Sequence, residues 1–583
     1  MSADVVPFGV VDYIIFGAML AISAATGIYH CFAGGGQKST SKFLVADGRM
    51  GCVPIAISIF VTYTSSIAIL GYPAEVYIYG IQYAMDIIQF FWVYPFAAYF
   101  FVPVFRNLPI TSVYEYVGMR YNLGLRIACT VIFILHNSMY MATTMVGPAL
   151  AIEAVQGIEM WKTMVFAGVI ATFYTTLGGI KAVIWADVFQ FIIIFGSIVA
   201  VAVLGTNEVG GIEHVWNINK VDQRLNFFDF NLDISSRLSF FGLFLGAGIG
   251  SLGTPLSQAT VQRYLSAKSL GHARGSLLLN LPFELVMFPI IFFNGLVLYA
   301  YYNNNQTPLV AAINSTDSSL PSGIPDTASV EPIRYAPNYD KADQILMYFI
   351  SSQFGHIRGL QGLFVSCLFA GTLSTVSSGL NATVACILQD VIKPWRQWRS
   401  EKTKTQVQMN DAWDTKLSKI MSCVLGVFTT LFGFLVPHLG SFVEISNIFL
   451  GVFLGPVVGI FIMGMFFPRT NTWGVTIGLV ISFSFGVFVA AGPIVAREFN
   501  MELLTIQKIS FMWYATANFL VALIVGLLAS EIARCVKPSL IEPVDKSLLV
   551  FALRPRHAGK SYDSTREPDV LPPTEFDDIQ KSD

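Results

Sequence analysis

The stretch PIAISIFVTYTSSIAILGYPAE, residues 54–75, is apolar at both ends and rich in hydroxyls in the middle. Thr62, Tyr63, Thr64, Ser65 and Ser66 follow one another at the depth where a membrane helix meets the least water. One reading is helix packing, with each hydroxyl bonded back to its own helix. The other is a discontinuous helix, whose freed carbonyls and half-helix ends build a binding site at the bilayer midplane. The choice between them decides the fold.

The surrounding chain is that of a polytopic membrane protein. Of 583 residues, 54% are hydrophobic and 12% charged, about half the charge content of a soluble domain. Apolar runs near twenty residues recur along its length, each able to cross about 30 Å of hydrocarbon as a helix. Thirteen spans can be drawn, at about 9–31, 51–77, 82–105, 124–152, 163–180, 184–205, 237–259, 276–301, 360–389, 416–436, 442–467, 473–493 and 510–533. The start, MSADVVPFGVVDY, lacks a basic region, so the first run is expected to stay as a span. The seven cysteines form no CxxC pair, which points to neither a zinc site nor a disulfide framework.

Basic residues orient the spans. One set of connections holds Lys38, Lys42 and Arg49, then Arg106, Arg120 and Arg126, then Arg263, Lys268 and Arg274, then five more between Lys393 and Lys404. The opposite set is sparse. The basic side is expected to be cytoplasmic, with the N-terminus extracellular and the C-terminal tail, 534–583, cytoplasmic and disordered. The loop at 302–342 then faces outward and carries the glycosylation sequons at Asn305 and Asn314.

A second span is punctuated like the first. FFGLFLGAGIGSLGTPLSQATVQRY, 240–264, has glycines at 242, 246, 248, 250 and 253 and then Pro255. Two interrupted spans, each opening a set of five (51–205 and 237–467), fit a five-plus-five inverted repeat within a transmembrane unit of residues 1–533. A third stretch, LFAGTLSTVSSGLNATV at 368–384, holds Thr372, Ser374, Thr375, Ser377 and Ser378 in an apolar setting. Sodium is a hard cation that seeks oxygen, and neutral hydroxyls and carbonyls supply it without burying a fixed charge. That density marks a candidate cation site.

These residues resemble the sodium/solute symporter family, above all its iodide, monocarboxylate and multivitamin branch. The resemblance is carried by FYTTLGGIKAVIWADVFQ (173–190), VQRYLSAKS (261–269) and GPVVGIFIMGMFFPRTNTWGV (455–475). It implies an all-α, LeuT-type fold and sodium-driven uptake, with sodium and a small solute as partners within the bilayer, no organic cofactor and no nucleic acid. Carried over by position, the sodium ligands are the carbonyls of Val61, Thr64 and Gly371 and the hydroxyls of Ser374 and Thr375. Ser377 and Ser378 are left to helix packing. Tyr63 falls on the family's substrate position, flanked by Thr62 and Ser65. Asp187, Gln258 and Arg263 match coupling or gating positions, although a cap or a pair with Lys181 would account for Asp187 equally well.

The function implied is sodium-coupled import of a small organic anion at the plasma membrane, by alternating access. A sugar or polyol is the alternative cargo, and a transporter-like sensor or channel the alternative class. No nucleophile–base set, metal cluster or phosphate loop suggests an enzyme.

Overall fold

A computed structural model describes residues 6–32, 43–44, 46–304, 342–403, 411–436, 442–499, 501–536 and 544–552. The sequons at Asn305 and Asn314 lie outside these residues. The principal helices are α1 (Val10–Phe32), α2 (Cys52–Tyr63), α3 (Ser66–Tyr79), α4 (Ile81–Arg106), α5 (Leu123–Gln156), α6 (Met160–Val209) and α7 (Gly242–Leu256). They are followed by α8 (Gln258–Leu265), α9 (Leu270–Asn303), α10 (Leu360–Cys386), α11 (Asp411–Gly433), α12 (Phe442–Phe466), α13 (Thr472–Phe499) and α14 (Tyr514–Val536). Among the described residues no strand is formed.

Ten of these helices are long and apolar enough to cross a membrane, and α2 with α3 adds one bent span. The difference from thirteen lies in two places. The Gly-rich α7 is too short to count, and the expected spans 163–180 and 184–205 are two helical segments of α6 that meet at a kink, of which only the second, Gly178–Val209, is counted. The bend within α6 falls at Gly179, slightly before the expected junction, with φ 58° and ψ −167°. A side chain is strongly disfavoured at those angles, so the glycine sets where the chain turns.

Helix α10 is the centre of the molecule. It packs against α6, α5 and α1, and residues of all four join one apolar core. Asp12 of α1 accepts from the Gly362 amide at 2.8 Å and ties the first span to the start of α10. A second core gathers α4, the early turns of α5 and α12. Arg120 closes the end of α12 by donating to the carbonyls of Gly464, Phe467, Pro468 and Thr470. The last helices, α13 and α14, pair with each other.

Disorder from residue 534 onward does not hold throughout. Helix α14 runs on to Val536, and at 544–552 Leu548 is buried while its carbonyl accepts from the Tyr116 hydroxyl at 3.1 Å. The apolar residues of this segment dock it on the second core.

Gly179→Ala should cost about 1–3 kcal/mol, the strain of a side chain at positive φ. A lower thermal midpoint of the purified protein checks this, and an unchanged midpoint would show that α6 bends for another reason.

Candidate functional site

The hydroxyl run at 62–66 breaks its helix. Thr64 leaves helical geometry at φ −81° and ψ 67°, and Ser65 is extended, its side chain capping α3 by accepting from the Ile67 amide. The axes of α2 and α3 diverge by 56°. An α-helix that ends leaves its last carbonyls without ladder partners, and here that happens in the protein interior. Serine and threonine favour the break because their side chains offer the backbone alternative partners.

The partners come from α10. Ser374 Oγ donates to Val61 O at 3.1 Å, and Thr375 Oγ1 donates to Thr62 O at 2.7 Å. Both hydroxyls also lie 2.9 Å from Gly371 O. Gly371 permits the approach: a β-carbon there would stand 3.2 Å from Thr64 O, Ser65 C and Ser66 N. The five residues expected to bind sodium are thus brought together at the break. Thr375 bonds to the Thr62 carbonyl in addition to that set, a carbonyl the sequence reading did not include. Beside them, Ser66 and Thr372 both donate to Thr144 O, at 2.6 and 2.7 Å, fastening the start of α3 and α10 to α5.

The second interruption meets the first. Ser257, extended at φ −67° and ψ 145°, separates α7 from α8 and caps α8. The Tyr63 hydroxyl lies 2.5 Å from Ser257 Oγ and 2.9 Å from Thr260 Oγ1. One tyrosine therefore connects the end of α2 to the break before α8.

Both breaks border one cavity of about 160 Å³. Tyr63 and Ser65 line it, as expected, but Thr62 does not. The Thr62 side chain points instead into a buried polar cluster, where it lies 3.1 Å from Ser378 Oγ and accepts from Arg263 at 2.7 Å. Other residues on the cavity wall, including Asp86, Glu284, His136 and Asn447, were missed in the sequence. A signal existed for two of them, since Asp86 and Glu284 are acids inside apolar runs.

Arg263 is neither a loop cation nor exposed. It is 1% accessible and its guanidinium donates to Ser58 Oγ at 2.7 Å, Asp187 Oδ2 at 3.2 Å, Ala259 O at 2.7 Å and Ser378. Asp187 is fully buried and pairs with Arg263, not with Lys181, which is exposed. Ser378 belongs to this cluster and not to bland packing, whereas Ser377 bonds back to Ser374 O. Gln258 has a bracing geometry: its amide bridges the Val113 N–H and the Thr111 carbonyl, each at 2.8 Å.

A membrane-embedded, all-helical protein in which two broken helices face one cavity is built as a secondary transporter. The comparisons narrow this class to a family. The model described as SSF, the sodium:solute symporter family, matches residues 43–482, and the chain belongs to that family. Human sodium-coupled monocarboxylate transporter 1 is 35% identical over 83% of this chain and 74% of its own. The sodium-dependent multivitamin transporter of Oryctolagus cuniculus is 31% identical over 93% and 86%. Among solved structures, a Na+-coupled sialic acid symporter in a substrate-bound outward-open state matches with TM-score 0.71 and 22% identity. It covers 90% of this chain and 98% of its own. The fold is the LeuT-type inverted repeat with additional helices, and the family is one of transporters rather than enzymes.

Removing the carboxylate of Asp187 would leave a buried guanidinium without its counter-charge, at a cost of about 3–5 kcal/mol. Asp187→Leu should therefore lower the thermal midpoint strongly, and Asp187→Leu with Arg263→Met should recover part of the loss. Equal loss in the single and double variants would show that the pair is not the source.

Proposed function

We propose that this chain imports a small organic anion, such as a monocarboxylate or a vitamin carboxylate, with sodium across the plasma membrane by alternating access. The observation that carries the reading is the meeting of Ser374 and Thr375 with the carbonyls of the broken helix. Sodium is held by the carbonyls of Val61, Thr64 and Gly371 and the hydroxyls of Ser374 and Thr375. In the structure those hydroxyls share their protons between Gly371 O and the carbonyls of Val61 and Thr62. When an ion arrives they keep those bonds and turn oxygen lone pairs to it, so binding draws α10 and the α2–α3 break together.

The solute occupies the cavity beside Tyr63 and Ser65, with the N-terminal end of α3 nearby. The positive end of a helix dipole favours a carboxylate without a buried lysine or arginine. The printed names of the relatives, monocarboxylate and multivitamin transporters, agree with an organic acid as cargo. Repeats at about 51–205 and 237–467 then rock about the filled site. Asp187 and Arg263 link α2, α6, α8 and α10, a position suited to coupling the ion site to that motion.

The N-terminus is assigned to the outside and the tail to the cytoplasm. Arg120, Arg224 and Arg263 are buried and drop out of the charge count, two from the basic side and one from the sparse side, so the asymmetry remains. Each sodium entering down 100 mV supplies about 2.3 kcal/mol before its concentration gradient is added.

Ser374→Ala with Thr375→Ala should raise the sodium concentration for half-maximal uptake at least tenfold, with the protein still at the cell surface. Unchanged sodium dependence would remove both residues from the ion site. A panel of labelled lactate, biotin and glucose tests the cargo: uptake of glucose alone defeats the anion reading, and solute-evoked current without accumulation favours a channel or sensor.

A further inference from the structure

The cavity wall also carries two acidic residues. Asp86 of α4 and Glu284 of α9 both line it, each about 95% buried. Glu284 Oε1 accepts from the Tyr94 hydroxyl at 2.8 Å, while Oε2 is buried with no hydrogen-bond partner. Asp86 Oδ1 accepts from Gln89 Nε2 at 2.5 Å, which orients the Gln89 amide and leaves its Oε1 buried and unpartnered. Gln89 is 2% accessible and also lines the cavity. Gln89 Oε1 is an acceptor, and so is Glu284 Oε2 when its carboxyl is ionised. A buried acceptor without a donor costs about 1–3 kcal/mol, so two at one wall call for a hydrogen-bond donor or a cation that the oxygens can face.

The neighbouring side chains agree with a positive ligand. Tyr72, Tyr83, Phe90 and Phe288 line the same wall, with Tyr72 edge-on to Tyr83 at 5.1 Å and to Phe288 at 5.6 Å. Aromatic faces attract a desolvated cation. Among the described lining residues there is no lysine or arginine, and the one histidine, His136, is stacked on Tyr140 at 6.3 Å. Sodium at the break and a carboxylate on the solute cancel each other, which leaves the two acids without a counter-charge.

We propose that Asp86, Gln89 and Glu284 form a subsite for a cationic group within the transport cavity. The inference rests on the symport reading and extends it. The solute's carboxylate lies toward α3, and a positive group fills the far wall. That group is either an ammonium on the solute itself, making the cargo an amino-bearing carboxylate, or a second alkali cation carried with a plain carboxylate.

The test uses the full chain in proteoliposomes, with ω-amino carboxylates compared against alkyl carboxylates bearing methyl in place of ammonium. Asp86→Asn with Glu284→Gln keeps the size of both groups and removes their charge. If the solute supplies the cation, the native protein prefers the ammonium member at least tenfold and the variant loses that preference. If a second alkali cation supplies it, both proteins take up alkyl carboxylates, and the variant moves one fewer charge per solute. Equal preference and equal charge per solute in the two proteins would overturn the subsite. Glu284→Gln alone, which retains a partner for Tyr94, serves if the double variant does not fold. Should no carboxylate accumulate, the symport reading fails by itself. The subsite is then read in purified protein carrying Ser374→Ala and Thr375→Ala, from thermal protection by tetramethylammonium or sodium. Protection that Glu284→Gln removes supports the subsite, and no protection by either ion overturns it.

Discussion

A helix that ends inside a membrane protein must place its last carbonyls somewhere, and the rest of this structure follows from that constraint. Water is scarce at that depth and lipid offers no donor. The chain answers with hydroxyls carried on another helix: Ser374 and Thr375 cap Val61 O and Thr62 O from across the interface. The solution requires close approach, and Gly371 sits against the break, where a side chain would press on its backbone at 3.2 Å. It also produces a group of oxygens without formal charge that bridges two elements. An ion held by such oxygens biases their separation.

The same region contains a second and different answer to burial. Arg263 and Asp187 place full charges where the bilayer would reject them, and the cost is offset by the bonds around the guanidinium, while Asp187 Oδ1 is left without a partner. Ser58, Thr62, Ser378 and the Ala259 carbonyl take up the guanidinium together with Asp187. Breaking one side of such a pair is far more damaging than replacing both. Thr62 joins the two solutions, since its carbonyl belongs to the break and its hydroxyl to the charged cluster. The break and the charged cluster therefore share this residue.

Much of this was legible in the sequence, for physical reasons that differ by residue. The break at 64–65 showed because five polar side chains in succession are costly in a lipid-facing helix. Ser374 and Thr375 showed for the same reason, and the family resemblance supplied their partner. Thr62 was misplaced because side-chain direction at a helix end depends on local angles that composition does not encode. It faces Arg263 while its neighbour Tyr63 faces the cavity. Asp187 could not be paired from sequence, because its partner is 76 residues away and its nearest basic neighbour, Lys181, is exposed. Arg263 was counted with the loop charges, although the helix that carries it is buried along its whole length.

The two interruptions also explain why one cavity can answer to both halves of the fold. Tyr63 is fixed at its base by the last turn of α2 and at its tip by Ser257 and Thr260, the residues that open α8. Any motion that separates α2 from α8 must release that hydroxyl or carry Tyr63 along. Arg263 lies on α8 one turn beyond Thr260, and its bonds return to Ser58 and Thr62 on α2. The two helices are thus bonded twice, once at the cavity wall and once behind it. A solute that displaces the Tyr63 hydroxyl would loosen the first contact while the charged cluster held the second. The cavity wall would then adjust to its cargo without separating the repeats, and separation would require the buried cluster to yield as well. Ion and solute would reach that cluster by different routes, through Thr62 and through Tyr63, which are consecutive residues of the same broken helix.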